Sequence, residues 1–187
     1  VLVTTDIAVA NHSFEADAVT DGTFISSTTS WVGGGGVIDR NSDTPHSFTT
    51  RIDETPDTVD AEQMAWSNGA DFHQVLGTTL VANTTYTLTG DGGGRSDTAV
   101  AGAELRLGTS AVFGTNLLSA TIVNNEVPEN SVGASDGWET WVTTFTTGSG
   151  VEGEALRIEL LSSGVQTLFD NVRLTKTPDN NPVIIVD

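Results

Sequence analysis

Four tryptophans and one tyrosine are the side chains in this sequence most suited to holding a ligand, because flat rings stack on the apolar faces of sugars while polar neighbours satisfy the hydroxyls. Trp31 precedes the run Gly33–Gly36, a position open to ligand contact or to loop packing. Trp66 stands ahead of Ser67-Asn68-Gly69, at a strand end beside a turn, where it either meets a ligand or closes the rim of the core. Trp138 and Trp141 are three residues apart, which puts them on opposite faces of an extended strand. Trp141 shares its face with Thr143 and Phe145, a core or groove position, and Trp138 takes the exposed side; both are candidate ligand contacts. Arg95, in the glycine-rich stretch Asp91-Gly92-Gly93-Gly94-Arg95-Ser96-Asp97, and Arg51, ahead of Asp53 and Glu54, are either contacts to ligand hydroxyls or carboxylates or members of surface ion pairs.

Catalytic patterns are absent. His12, His46 and His73 are widely separated, and His73 lies inside an expected strand as a structural histidine. Neither a Gly-x-Ser-x-Gly elbow nor a His-Glu-x-x-His motif occurs, and the glycine run before Arg95 lacks the Lys-Ser/Thr ending of a phosphate-binding loop. No carboxylate pair can be singled out from 25 acidic residues without geometry. On this reading the chain is not an enzyme. Seven Lys and Arg against 25 Asp and Glu give a net charge of −18, which excludes a nucleic-acid partner. No segment approaches the roughly 20 consecutive apolar residues of a membrane span. With no cysteine, stability rests on packing, backbone pairing or a hard cation. The acidic, Lys-poor composition leads us to expect a processed, secreted or surface-attached protein.

The elements positioning these residues are strands. No segment carries a convincing 3.6-residue apolar repeat, whereas Tyr86 and Leu88 alternate with threonines, Leu105 and Leu107 with Glu104 and Arg106, and Leu156, Ile158 and Leu160 with Arg157 and Glu159. Strands are expected at Asp6–Ala10, Thr23–Ser26, Ser47–Arg51, Glu62–Trp66, Phe72–Leu76, Thr84–Gly90, Glu104–Gly108, Trp141–Thr147, Ala155–Leu161 and Thr167–Leu174. Half-buried faces at this strand count predict an all-β fold, a two-sheet antiparallel β-sandwich. Gly33–Gly36, Gly92–Gly94 and Gly148-Ser149-Gly150 are expected as turns or loops, and Asn124–Asp136 as a long connection. The domain is expected to span residues 1–175, with 176–187 a linker and the start of a covalently attached neighbouring domain.

Asn11-His12-Ser13-Phe14-Glu15 near one end and Leu168-Phe169-Asp170-Asn171-Val172-Arg173-Leu174 near the other, with Asp71-Phe72-His73-Gln74-Val75-Leu76 and Leu80-Val81-Ala82-Asn83-Thr84-Thr85-Tyr86-Thr87-Leu88-Thr89 between, resemble in their order the calcium-binding β-jelly-roll carbohydrate-binding modules of the galactose-binding-domain-like superfamily. The resemblance implies a jelly roll, a structural Ca2+ held by Glu15 and Asp170 with Asn11 close by, and a polysaccharide or oligosaccharide partner, a neutral glycan given the charge. The function expected on that basis is a non-catalytic carbohydrate-binding module that targets an attached secreted enzyme or a cell surface to a polysaccharide. The alternative is a structural or adhesive β-sandwich module of an exported multidomain bacterial protein.

Overall fold

The computed structural model describes residues 2–20, 23–39, 63–94, 103–109, 138–148, 153–162, 164 and 166–179. The elements are β1 (Thr5–Ile7), β2 (Phe24–Ile25), β3 (Val32–Asp39), β4 (Gln63–Thr79), β5 (Thr84–Gly94), β6 (Ala103–Thr109), β7 (Trp138–Thr146), β8 (Ala155–Ser162) and β9 (Thr167–Pro178). Every pairing is antiparallel, and the described residues include no helix. The main path runs β2-β3-β4-β9-β5-β7, with β1 on β9. A second layer forms because β4 is long enough to serve both: Ala65–Ser67 pair with β9, while Asp71–Thr79 pair with β8, which in turn carries β6. The two layers form the expected all-β sandwich.

Alternation fills the space between them. Tyr86, Leu88, Trp141, Phe169, Val172 and Leu174 from one layer join Phe72, Leu76, Leu105, Leu107, Leu156, Ile158 and Leu160 from the other in one buried cluster. The inner face of β5 meets β6 directly, a Cβ at Gly90 lying 3.6 Å from both methyl carbons of Leu105. Tyr86 is fully buried, its phenol oxygen accepting the Val81 amide at 2.9 Å. Burial pushes the phenol above its ordinary range, opposed by that hydrogen bond.

Two glycine runs expected as loops lie instead in strands: Gly33–Gly36 within β3 and Gly92–Gly94 within β5. The physical reason is close approach rather than turning. A Cβ at Gly36 would run into the Ile25 carbonyl oxygen, and one at Gly92 into the Trp141 indole, so only glycine admits the neighbouring backbone and ring there. The segments expected as Glu62–Trp66 and Phe72–Leu76 are one strand, β4, with Gly69 at φ +76° between them. The last strand continues past Thr175 to Pro178, where the linker was expected to have begun. The expected strand Ser47–Arg51 and the connection Asn124–Asp136 lie outside the described residues.

Candidate active site

The face of the β7-β5-β9-β4-β3 layer turned away from the core carries the most unusual chemistry in the described chain. On β5, Tyr86, Leu88 and Gly90 face inward, so Thr85, Thr87, Thr89 and then Asp91 face outward. On β9, Phe169 belongs to the core, which turns Leu168 and Asp170 outward. The register places Asp91 opposite both Thr140 on β7 and Asp170 on β9. A parallel row runs from Trp138 through Gly93 and Leu168 to Trp66 and Gly36.

Both carboxylates are withdrawn from water: Asp91 is 8% exposed and Asp170 2%. Burying a carboxyl group, charged or neutral, costs free energy unless hydrogen bonds satisfy it. The protein compensates with donors. Thr140 Oγ1 donates to Asp91 Oδ1 at 2.6 Å, Asn171 Nδ2 to Asp91 Oδ2 at 3.2 Å, and the Asn171 backbone N–H to Asp170 Oδ1 at 2.7 Å. Beside the acids is an apolar shelf, a second cluster distinct from the core, made of Ile38, Met64 and Leu168 with Trp66 packed on it. Phe24, 61% exposed, meets the Trp66 ring edge-on at 5.9 Å, and Trp66 Nε1 donates to the Ile25 carbonyl at 3.2 Å. Buried carboxyl groups beside an apolar, aromatic shelf can exchange a proton with a bound molecule while keeping water from it.

The residues singled out from sequence divide between this face and other places. Trp66 is on the shelf, half-buried. Trp31 is a core residue: 5% exposed, stacked on Phe72 at 5.2 Å and 3°, its indole N–H donated to the Asn11 carbonyl at 3.1 Å. Of the two roles open to it, ligand contact and packing, its burial fits packing, and the glycines that follow it are strand residues. Trp141 takes the core position, edge-on to Phe169 at 6.1 Å. Trp138 stands at the start of β7 opposite Gly93. Arg51 and Arg95 lie outside the described residues.

Among the calcium candidates, Glu15 accepts the Gln63 backbone amide at 2.8 Å and its side-chain amide at 3.0 Å. Asn11 Oδ1 accepts the Ala16 amide at 3.0 Å. Asp170 belongs to the carboxylate row. Among the described residues no group of three or more His, Asp or Glu gathers around one point. The donor chemistry nevertheless suits a hard cation, since beside Glu15 the Gln63 Oε1 atom is buried with no hydrogen-bond partner. Sequence reasoning missed Asp91, Thr140, Asn171, Met64 and Leu168. Counting parity outward from Thr85, Thr87 and Thr89 would have found Asp91; nothing local marks the others.

The family model described as HpiC1 cyclase, of the HpiC1-like family, matches residues 5–175. No curated protein matches the chain. Among solved structures, the Stig cyclase Fisc from Fischerella sp. TAU, in complex with (3Z)-3-(1-methyl-2-pyrrolidinylidene)-3H-indole, is 21% identical with a TM-score of 0.73, covering 95% of this chain and 100% of its own. Another structure of a cyclase from Fischerella sp. TAU is 22% identical with a TM-score of 0.73, covering 96% of this chain and 100% of its own. The CBM22-1 xylan-binding domain from Paenibacillus barcinonensis is 14% identical with a TM-score of 0.50, covering 86% of this chain and 99% of its own. The sandwich is therefore common to cyclases and carbohydrate-binding modules.

Proposed function

Since the chain belongs to the HpiC1-like cyclase family, we propose that it is an enzyme closing a ring in a small aromatic molecule, with the outward face of the β7-β5-β9-β4-β3 layer as its active site. Family membership overturns the expectation of a non-catalytic module, and with it the polysaccharide partner. The correction has a physical reason. The resemblance rested on motif order, which follows the sandwich fold, and a fold shared by a cyclase and a xylan-binding module does not fix what the site does.

The observation that carries the reading is the pair of buried carboxylates, Asp91 and Asp170, beside the Met64, Leu168 and Trp66 shelf. In this reading the flat part of the substrate lies on the shelf. The Asp170 carboxyl gives a proton to an unsaturated carbon, the π electrons of a second double bond attack the resulting cation to form the ring bond, and a C–H proton returns to a carboxylate. The sum is an isomerisation that consumes no co-reactant. Aromatic faces and the negative row stabilise the cation. The bound indole of the Fischerella cyclase supports an indole-bearing substrate. The test is incubation with indoles carrying a 3-alkenyl chain, followed by chromatography and mass spectrometry for cyclic isomers of unchanged mass. Wild type forming an isomer that the Asp170→Asn variant does not form supports the assignment; no isomer from any such indole, together with no quenching of tryptophan fluorescence by the pyrrolidinylidene indole, removes it.

Calcium belongs to the same proposal in a structural role. Glu15 and Gln63, through its orphaned Oε1, would contribute to holding it, and the ion would tie the first loop to β4 without entering the reaction. An ion at a hundredfold excess over its dissociation constant adds about 2.7 kcal/mol. A lower melting temperature in chelator supports the site, and coincident melting curves dismiss it.

A further inference from the structure

We propose that Asn171 is a positioning residue that clamps both carboxylates of the active site, and that Arg173 fixes the direction in which its amide points. This rests on the cyclase reading for its catalytic consequence, although the clamp itself does not. Asn171 touches the two acids through different groups: its backbone N–H donates to Asp170 Oδ1 at 2.7 Å, and its Nδ2 to Asp91 Oδ2 at 3.2 Å. Arg173 Nε donates to Asn171 Oδ1 at 2.7 Å. The orientation of the amide has only one solution, because a guanidinium can only donate and an ionised carboxylate can only accept. With Oδ1 held by Arg173, Nδ2 must face Asp91.

The backbone is built for this. Between the pairs Thr89↔Arg173 and Asp91↔Asp170, β5 has one residue, Gly90, and β9 has two, Asn171 and Val172. This is a bulge, the device by which sheets re-aim a side chain. Asn171 takes a left-handed conformation there, φ 52°, which Asn tolerates better than most residues. Val172 returns to the core, and its N–H donates to the His12 carbonyl at 2.8 Å, pinning the far side of the bulge to the first loop. The extra residue thus lets β9 present Asp170 and Asn171 in succession toward Asp91 without losing the inward alternation of Phe169, Val172 and Leu174. Asn171 serves as a fixed donor to both carboxyl groups, and Thr140 donates to the other oxygen of Asp91.

The experiment must separate the amide from the backbone it sits on. Asn171→Gly keeps the left-handed conformation and removes only the side chain, whereas Asn171→Ala adds strain and is the control for it. In the 15N-labelled full chain, the side-chain amide signals that vanish in Asn171→Gly identify Asn171. Those signals are expected to shift in Asp91→Asn and again in Arg173→Gln. With a 3-alkenyl indole as substrate, Asn171→Gly is expected to lower kcat about a hundredfold, the cost of misplacing a reacting group by about 1 Å, with KM unchanged and cooperative unfolding retained. Amide signals indifferent to both Asp91→Asn and Arg173→Gln overturn the clamp whether or not the protein is a cyclase. Shifting signals with undiminished kcat in Asn171→Gly leave a structural bridge and overturn its role in positioning. A wild type that closes no ring overturns the cyclase reading and the catalytic half of this inference, while the amide shifts still decide the clamp.

Discussion

The two faces of the β7-β5-β9-β4-β3 layer are made from alternate residues of the same strands and answer to opposite demands. Inward, Tyr86, Leu88, Trp141, Phe169, Val172 and Leu174 are apolar, buried and matched against the second layer. Outward, one residue away at each step, β5 passes from threonines to Asp91 and β9 presents Leu168 and then Asp170. A sheet with one solvated face carries polar groups in contact with water there. This outer face instead buries two carboxylates opposite each other and seats an apolar cluster beside them. Such an arrangement costs folding free energy. A protein retains it where the strain serves a function. The inner face therefore carries stability and the outer face chemistry, so substitutions on the two faces should separate cleanly.

The largest expected effect belongs to the outer face. Asp170→Asn keeps the shape of the side chain and removes its capacity to give a proton, and should lower kcat by about 10²–10⁴-fold. Because Asn keeps an oxygen that can accept the Asn171 N–H, its melting temperature should stay close to that of wild type. A variant that loses activity together with stability would place Asp170 among the framework residues and dissolve the division between faces.

Its neighbour Phe169 should behave in the opposite way. Phe169→Ala empties a core position against Trp141 and should cost about 3–5 kcal/mol in denaturant unfolding, with kcat per folded molecule close to wild type. Gly92→Ala sharpens the contrast, since its Cβ points into the Trp141 ring. Overpacking of this kind costs about 1–3 kcal/mol. A fully stable Gly92→Ala would mean that the ring has another place to go.

Much of the inner face was legible in the sequence, and the outer face largely was not. Leu156, Ile158 and Leu160 announce their strand because Arg157 and Glu159 between them are polar, so periodicity reports a half-buried face. Leu168-Phe169 defeats the same reasoning, since β9 is buried on both sides there and no alternation survives. Gly33–Gly36 and Gly92–Gly94 misled because glycine marks both turns and close approaches, and only the neighbouring strand distinguishes them. For Trp31, left open between ligand contact and packing, burial fits packing. The Asp91–Asp170 pair is a matter of register between residues 79 positions apart, information that local sequence does not contain. The resemblance to carbohydrate-binding modules found the architecture because motif order follows the fold, and it missed the activity because Leu168, Asp170 and Asn171 were read as parts of a frame before their partners across the sheet were known.

The smallest effect tests how finely the outer face is tuned. Thr140 is exposed, yet its hydroxyl donates to the buried Asp91 Oδ1 at 2.6 Å. Thr140→Val keeps the β-branched shape and removes the donor, at a cost of about 1.5–3 kcal/mol if the whole bond to a charged group is lost, and less if water takes its place. Because Asp91 retains Asn171 as a donor, the loss should fall at the low end and appear as a small decrease in midpoint denaturant concentration with an unchanged slope. The double variant Thr140→Val with Asn171→Gly should then lose more than the sum of the single losses, since it removes a donor from each oxygen of Asp91. Strict additivity would show that the two donors act independently and that the outer face is a set of separate contacts rather than one network.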